Sequence, residues 1–242
     1  MNAAPAANQP DTFPQLITPV RSGNVFEETL EKIATYITAG LLLPGEKLPT
    51  ERELCQYLGV SRATIHEVIT ELKQLGYIQI RRGRYGGAYV IANSSSAKPK
   101  NYSPAAAKEI ADLMDYRRIL ESAAAKQAAL KILSSREQEQ LSQALAAVES
   151  APDEAYRVLD SRLHLSIARL AAIPRLTQQL VEIRAEVNAL LGQFPLLQRN
   201  IRNSDSQHRA MVEAILTGKA QQAEEIAAQH VAGTAALIRA LA

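Results

Sequence analysis

The sequence predicts a mainly α-helical chain of two domains, of which only the first contains β-structure. Three observations support this prediction. Apolar residues recur at helical spacing throughout residues 104–242, where no alternating strand pattern is found. Two short alternating stretches, at residues 77–80 and 88–91, flank a turn rich in Arg and Gly, which is typical of a β-hairpin. A polar stretch at residues 93–103 separates the two regions and is typical of a linker.

The chain begins with a segment, residues 1–20, that is rich in Ala, Pro, Asn and Gln and has few large apolar residues. Such a composition buries too little apolar surface to fold, so we expect a flexible tail. The first domain then covers residues 21–92 and starts with a helix from an Asn24 cap to about Ala39. This helix is indicated by apolar residues at helical spacing, namely Phe26, Leu30, Ile33 and Ile37.

Two short helices joined at Gly59 are predicted next. Thr50 and Glu53 have the spacing of a capping box for the first helix, and Gly59 can take the left-handed conformation that ends it. Ser61 is placed to cap the second helix. The second helix carries an apolar stripe on one side, formed by Ile65, Val68, Ile69, Leu72 and Leu75. This pattern is typical of a helix-turn-helix, which reads DNA with the N-terminal part of its second helix.

The turn of the hairpin that follows is both basic and glycine-rich, with Arg81, Arg82, Gly83, Arg84, Gly86 and Gly87. Glycine allows the backbone to approach another surface closely, and arginine binds phosphate or enters a minor groove. A helix-turn-helix followed by a basic hairpin predicts a winged helix-turn-helix, which is an α+β arrangement. The alternative is an ordinary α+β subdomain with a solvated charged turn.

The bulk charge of the chain carries little information about a nucleic-acid partner. The net charge is +2, and residues 21–92 contain 9 Lys and Arg against 8 Asp and Glu. DNA binding is therefore indicated by the clustering of arginines at the hairpin and not by net charge. A domain with so little charge predicts modest binding by one protomer, which favours a homodimer on a paired DNA site.

Cysteine usage and hydropathy predict a cytoplasmic protein with no membrane partner. Cys55 is the single cysteine, so no disulfide framework is possible, which fits a reducing compartment. No run of 18 apolar residues exists, and the N-terminus has no basic region followed by an apolar run. Neither a membrane span nor a secretory signal is therefore expected.

The second domain, residues 104–242, is predicted to be an antiparallel all-helical bundle. Leu, Ile, Val and Ala recur at helical spacing, and the pattern is interrupted at Ser134, Ser135 and Gly218. Prolines fit the first turns of three helices, at Pro104, Pro152 and Pro174. Six helices are expected, at about residues 104–132, 135–149, 152–172, 174–193, 199–217 and 219–241.

Three of the four histidines fall in the second domain, next to apolar helix positions. Asp160 and His164 are four residues apart and so share one helix face. His208 and His230 lie 10 residues before and 12 residues after Gly218, so both are about 15–18 Å from that turn and can be level with each other. Three imidazoles and one carboxylate suit Zn²⁺, Ni²⁺, Mn²⁺ or Fe²⁺, with Zn²⁺ favoured. The alternative is three separately satisfied histidines in the bundle.

The first domain resembles the DNA-binding domain of GntR-type bacterial transcription regulators. The resemblance is carried by residues 48–54, residues 58–62, Glu67, Gly76 and the glycine-rich wing. It implies a double-stranded DNA operator as partner. The positions implied to face DNA are Arg52, Ser61, Arg62, Thr64 and His66 in the helices, with Arg82, Gly83 and Arg84 at the wing.

One recognition position departs from the pattern of this family. Arginine is usual where this chain has His66. Arginine pairs bidentately with guanine, and histidine cannot do so in the same way. We therefore expect the operator to differ from the usual family pattern at the base that faces His66.

The second domain resembles the all-helical effector domain of the FadR branch of these regulators, called the FCD domain. The matching pieces are residues 116–124, the pair Asp160 and His164, His208 with Ala214 and Ile215, and His230. The resemblance implies a divalent metal on Asp160, His164, His208 and His230, and a small carboxylate effector beside the metal. It also implies that Arg117 faces the ligand. The alternative for Arg117 is an ion pair with Glu121, four residues further on.

These observations predict a metabolite-responsive transcription regulator that acts as a homodimeric repressor. A metal-dependent enzyme in the helical domain is one alternative, because a metal with an open position can activate water. No HExxH motif and no nucleophile elbow are found, however, so an enzyme is not expected. A regulator with a metal-free ligand pocket is the other alternative.

Overall fold

A computed structural model of the chain describes residues 19–20, 25–83, 86–91, 104–193, 196 and 198–241. The chain forms two compact units, Met1–Ser94 and Ser95–Ala242, and each is described by itself. The predicted tail, except for its last two positions, lies outside the described residues, and so do the Asn24 cap and the predicted linker. No helix in the described part of the chain is long and apolar enough to cross a membrane.

The first unit contains three helices and one two-stranded antiparallel sheet among its described residues. The helices are α1 (Val25–Thr38), α2 (Glu51–Leu58) and α3 (Arg62–Gln74), and the strands are β1 (Ile78–Arg81) and β2 (Gly87–Val90). In the sheet, Ile78 pairs with Val90 and Arg81 pairs with Gly87. The predicted winged helix-turn-helix is confirmed, since the helix pair is followed directly by a β-hairpin.

Side-chain caps fix where α2 and α3 begin. The Thr50 hydroxyl accepts from the Glu53 backbone N–H, and the Glu53 carboxylate accepts from the Thr50 N–H at 2.7 Å, which is the predicted capping box. Gly59 ends α2 with a φ of 70°, in the left-handed region that favours glycine. The Ser61 hydroxyl then accepts from the Thr64 N–H at 3.1 Å. The first turn of α3 is therefore held in a defined position.

The apolar stripe of α3 is buried, with one exception. Ile65, Val68 and Leu72 are fully buried against the other helices of the unit. Leu75 was expected in the same stripe, but its side chain is 52% exposed. Leu75 is the C-cap of α3 and keeps the helical conformation, with its N–H donating to the Glu71 carbonyl at 2.9 Å, so it continues the stripe but its side chain is not covered.

The wing is fixed to its unit by contacts of β2. Gly87 has a φ of 145°, and a Cβ atom at this position would lie 2.3 Å from Cε of Lys47, so only glycine fits. The Arg81 guanidinium lies over the ring of Tyr89, at 4.3 Å from its centre. Arg82 and Gly83 are exposed beyond this contact, whereas Arg84 lies outside the described residues.

The second unit consists of helices over its described residues, in agreement with the predicted bundle. The helices are α4 (Pro104–Ala129), α5 (Ser135–Glu149), α6 (Asp153–Leu170), α7 (Pro174–Leu191), α8 (Gln198–Leu216) and α9 (Ala220–Leu241). Each end lies within three residues of its predicted position. Pro174 occupies the first turn of α7 as expected, whereas Pro152 is the N-cap of α6.

Helix α4 runs through the bundle and packs against α6, α7, α8 and α9. Its buried side chains change character along its length. Met114 belongs to one apolar cluster, Arg117 and Glu121 are buried and charged, and Ala125 belongs to a second apolar cluster. Along α9 the order is reversed. Residues of the second apolar cluster come first, His230 follows, and residues of the first cluster come last. A polar layer therefore crosses the core, and the candidate site lies in this layer.

The cap of α5 gives a test of the helix boundaries. Ser134 accepts from the Glu137 N–H, and the Glu137 carboxylate accepts from the Ser134 N–H at 2.8 Å. We expect Ser134→Ala to lower the free energy of unfolding of the second unit by about 1 kcal/mol, because it removes the hydroxyl that accepts from the Glu137 N–H, whereas the backbone N–H of residue 134 can still donate to Glu137. Urea unfolding followed by far-ultraviolet circular dichroism measures this change.

The control is Ser142→Ala on the same helix, where the hydroxyl donates to the Gln138 carbonyl within the helix at 2.9 Å. This variant should be neutral or slightly stabilising, by at most about 0.5 kcal/mol, because Ala favours a helix interior. Equal losses in both variants would contradict the assigned start of α5.

Candidate functional site

Three helices bring three histidine rings into one cluster. His164 is on α6, His208 on α8 and His230 on α9, and the ring centres lie 4.7–5.2 Å apart. Asp160, one turn before His164, completes the group, and one nitrogen or oxygen atom from each residue lies within 4.8 Å of the others. The structure therefore brings together all four residues that the sequence singled out as metal ligands.

The cluster contains nitrogen atoms that no group in the described part of the chain satisfies. Nε2 of His164 and both ring nitrogens of His208 are buried without a hydrogen-bond partner among the described residues. Nε2 of His208 lies 3.2 Å from Oδ1 of Asp160, outside hydrogen-bonding geometry, and Nε2 of His164 lies 3.9 Å from the same oxygen. Buried polar atoms without partners are costly, and imidazole nitrogens around a carboxylate are the donor set of a divalent transition metal. The residues fit such an ion better than they fit three separately satisfied histidines.

A chain of buried ion pairs surrounds the cluster. Nε of Arg117 donates to Oε1 of Glu121 at 2.9 Å, and Nε of Arg184 lies 3.4 Å from the same oxygen. Nη2 of Arg184 donates to Oδ2 of Asp160 at 3.0 Å. Arg117, Glu121 and Arg184 are all at most 3% exposed. Two buried positive charges are thus balanced by two buried negative charges, which is the condition for keeping charges in a protein core.

Glu121 also determines the protonation of one histidine. Its Oε2 lies 3.0 Å from Nδ1 of His164. An ionised carboxylate only accepts hydrogen bonds, so Nδ1 must carry the hydrogen. In a neutral ring, Nε2 of His164 is then unprotonated on the side of the cluster, as metal ligation requires.

Electrostatics favour charged carboxyl groups and neutral histidines in the layer. Burial alone raises the pKa of Glu121, but Arg117 and Arg184 outweigh it and hold this pKa well below its ordinary value. Burial likewise raises the pKa of Asp160, but Arg184 and His208 together hold it well below the usual range. Burial and the Arg184 guanidinium lower the pKa of His164 to about 4. Burial and the neighbouring His208 ring lower the pKa of His230 well below its ordinary value.

A cavity of about 70 Å³ opens beside the cluster. It has room for a few water-sized groups. Asp160 and His230 reach it from the cluster, and Nη1 of Arg117 is buried without a protein partner. The remaining wall is formed by Tyr156, Arg157, Asn188, Leu191, Leu196, Asn200, Ile201, Ser204 and Thr234. Arg117 therefore combines the two arrangements that the sequence left open, since it pairs with Glu121 and also borders the cavity.

Sequence reasoning missed Arg184 as a member of this site and considered Glu121 only as a partner of Arg117. The signal for Arg184 was its position on α7, where Leu180, Val181 and Val187 occupy the same face at helical spacing and are buried. A charge on the core face of an amphipathic helix needs a buried partner. The partner itself comes from another helix, which the spacing along one helix does not reveal.

The predicted DNA-facing residues lie on exposed parts of the first unit. Arg52 is exposed on α2, and the Arg62 and His66 side chains are 85% and 72% exposed on the first turns of α3. Ser61 and Thr64 serve the cap of α3, where their hydroxyls lie 2.9 Å apart. Arg82 and Gly83 are exposed at the wing, and Arg84 lies outside the described ranges.

Both units match known protein families. Residues 26–90 match the gntR family of bacterial regulatory proteins. Residues 112–233, which make up half of the chain, match the FCD domain. Both matches coincide with the units that the fold defines.

Full-length relatives are described as regulators. A candidate HTH-type transcriptional regulator, RmpR of Mycobacterium gastri, is 27% identical over 217 residues, which are 84% of this chain and 76% of the relative. A candidate regulatory protein of the L-lactate dehydrogenase operon of Escherichia coli is 26% identical, over 85% of this chain and 83% of the relative. The solved structure of E. coli McbR/YncC covers 91% of this chain and 99% of its own at a TM-score of 0.54. Its sequence is 15% identical, so this likeness concerns the fold alone.

The lowered pKa values predict how the metal-free protein responds to acid. The pKa of His164 is about 4 in the folded chain against an ordinary 6.5, so the unfolded chain takes up a proton first as the pH falls. The free energy of unfolding should therefore fall between about pH 7 and pH 5, by roughly 2 kcal/mol from His164 and further from His230. Urea unfolding in the presence of a chelator measures this dependence.

The control is His164→Gln, which removes the buried imidazole itself. The free energy of unfolding should fall less steeply between about pH 7 and pH 5 in this variant than in the wild type. A free energy of unfolding that stays constant from about pH 7 to pH 5 would show that the buried histidines are not held neutral.

Proposed function

This chain belongs to the FCD-domain branch of the GntR-family transcription regulators, and from this membership we propose that it is a homodimeric repressor whose binding to a DNA operator is modulated by a small carboxylate. The carboxylate binds in the cavity of the helical unit, beside a divalent metal on Asp160, His164, His208 and His230. A regulator of this kind works on chromosomal DNA in the cytoplasm. The families and relatives that match are regulators and not enzymes.

The observation that carries the proposal is the unsatisfied donor set beside the cavity. His164 and His208 leave ring nitrogens without partners, and Arg117 leaves Nη1 without one. Nitrogen ligands and a carboxylate suit Zn²⁺ as the first candidate among the divalent ions. A guanidinium N–H close to such an ion suits an anion with planar oxygen atoms, which is a carboxylate.

Formal charge supports an anionic effector. In the polar layer, Arg117 and Arg184 balance Glu121 and Asp160, and the lowered pKa values of His164 and His230 favour their neutral forms. A bound divalent ion supplies two positive charges and a Lewis acid, and no residue of the layer is left to balance them. A small carboxylate removes part of this excess, whereas a neutral ligand does not.

The size of the cavity and the relatives narrow the effector class. About 70 Å³ accommodates an acid of a few non-hydrogen atoms. One relative is named for an L-lactate dehydrogenase operon. L-lactate is therefore the first compound of the test panel, followed by other short hydroxy and keto acids.

DNA recognition is assigned to the exposed residues at the start of α3 and at the wing. A homodimer presents two copies of α3 to successive major grooves of a palindrome. The effector changes DNA affinity only if it binds one arrangement of the protein better than the other. Repression relieved by the effector is the direction that we propose.

Base recognition and phosphate contact should be separable. Arg62→Ala should reduce the discrimination between operator and random DNA by roughly 1–3 kcal/mol, because Arg62 is assigned to a base edge. Arg82→Ala should weaken binding to both DNAs and flatten the salt dependence, because Arg82 is assigned to phosphate. Titrations of both DNAs over a range of salt concentrations measure these effects. Equal weakening of all sequences by Arg62→Ala would show that the recognition helix is wrongly placed on the DNA.

Metal content and effector response should be lost together. His208→Ala should lower the metal content and the melting temperature of the helical unit, because one ligand of a site on three helices is removed. DNA binding should persist, while the response of DNA affinity to L-lactate or a related acid should disappear. Elemental analysis of protein purified without a His-tag, followed by DNA titrations with and without the acids, measures all three quantities.

The control for this experiment is Arg209→Ala, the next residue on α8, whose side chain is 60% exposed and pairs with Glu149. It should leave metal content and effector response unchanged. A His208→Ala protein that has lost its metal but still responds to the acid would favour the metal-free pocket. Purified wild-type protein that contains no metal would also favour the metal-free pocket.

A further inference from the structure

We infer that Glu51 sets the base preference of the recognition helix by fixing the hydrogen-bonding edges of Arg62 and His66, so that His66 reads an exocyclic amino group in the major groove. The bases that carry such a group there are adenine and cytosine. This inference rests on the proposed DNA-binding function and adds the base specificity of one position in each half-site.

A single carboxylate bridges the two helices of the helix-turn-helix. Glu51 is the first residue of α2, and its side chain reaches across to α3. Oε1 lies 3.1 Å from Nδ1 of His66, and Oε2 lies 3.4 Å from Nε of Arg62. The Glu51 side chain is 33% exposed, so it lies behind the two more exposed side chains that it holds. Both recognition side chains are thereby oriented before DNA binds.

The contact with Glu51 determines which nitrogen of His66 is protonated. A carboxylate accepts hydrogen bonds and cannot donate them, so Nδ1 must be the N–H nitrogen. A neutral ring then has an unprotonated Nε2, which is an acceptor. In the major groove, adenine N6 and cytosine N4 are donors, whereas guanine presents two acceptors and thymine presents an acceptor and a methyl group. His66 therefore complements adenine or cytosine and is mismatched with guanine.

The same carboxylate leaves Arg62 with the opposite preference. Its Nε is directed to Glu51, so the two terminal amino groups remain for the O6 and N7 acceptors of one guanine. Arg62 and His66 are four residues apart, which corresponds to a rise of about 6 Å along α3. Base pairs are spaced at about 3.4 Å, so the base that Arg62 contacts and the base that His66 contacts should lie about two base pairs apart. Each half-site should contain a guanine and, about two positions away, an adenine or cytosine.

The first experiment selects binding sites from a randomised DNA duplex pool with the wild-type protein and with His66→Arg. The wild type should enrich adenine or cytosine at one position near the guanine, and His66→Arg should change that position to guanine. Every base pair carries one exocyclic amino group, so the test is whether the orientation of the pair is fixed relative to the guanine; equal selection of both orientations at this position, or no preference, would overturn the inference. Failure to enrich any sequence would instead contradict the proposed function itself.

The second experiment removes single groups from the selected base. Replacing adenine by purine, or cytosine by 2-pyrimidinone, deletes only the exocyclic amino group and should weaken binding roughly 3- to 10-fold, as the loss of one hydrogen bond does. In the His66→Ala protein the imidazole is absent, so the amine-free base and the selected base should bind with equal affinity. An amine-free base that binds the wild type with full affinity would overturn the assignment to Nε2.

The third experiment changes Glu51. Glu51→Ala should broaden the preference at the His66 position and reduce guanine selectivity at the Arg62 position, because both side chains lose their shared acceptor. Glu51→Gln should retain most of the preference, since its amide oxygen can still accept from Nδ1 of His66. The control is Glu31→Ala, which removes the same charge from an exposed position on α1. Identical base preferences in Glu51→Ala and the wild type would show that the carboxylate does not set the reading edges.

Discussion

The buried ion pairs among Arg117, Glu121, Arg184 and Asp160 are the constraint on which the helical unit depends. They join α4, α6 and α7 in a layer where both neighbouring clusters are apolar. Removing one partner from such a group leaves a buried charge without compensation, at a cost of about 3–5 kcal/mol. The helices can therefore pack in one register only, because any other register separates these charges. The same register brings the three histidines to one point.

The proposed metal and effector share this layer. Asp160 uses Oδ2 for Arg184 and presents Oδ1 to the histidines, while Glu121 accepts from His164 on the side away from the cluster. Arg117 extends from the same group to the cavity. The ligand atoms and the cavity wall are thus parts of one hydrogen-bonded unit. Two contacts therefore connect the proposed metal ligands to Arg117 at the cavity, one between His164 and Glu121 and one between Glu121 and Arg117. This connection needs no rearrangement of the helices.

Local patterns in the sequence predicted most of the fold, but they did not predict contacts between residues that are far apart in the chain. Thr50 with Glu53, Gly59 and Ser61 mark helix ends through bonds to residues nearby in the chain, so their spacing is sufficient. The cluster of Asp160 and the three histidines was predictable because helix lengths place the histidines level with one another. Arg184 was missed because its partners come from α4 and α6, and the exposure of Leu75 was missed because helical spacing does not show where the packing around a helix ends. The bond between Glu51 and His66 spans 15 residues and two helices, which no periodicity encodes.

The polar layer also limits how this protein can evolve. Each of its four charged residues is balanced by another, so a single substitution leaves one charge unbalanced, and only a coordinated double change preserves the fold. The wall residues Asn200, Ser204 and Thr234 border the cavity without belonging to the ion-pair chain. Substitutions at such wall positions can change the shape and polarity of the cavity in related proteins, while the four charged residues are retained together. The cavity can therefore diverge without any rebuilding of the core beside it.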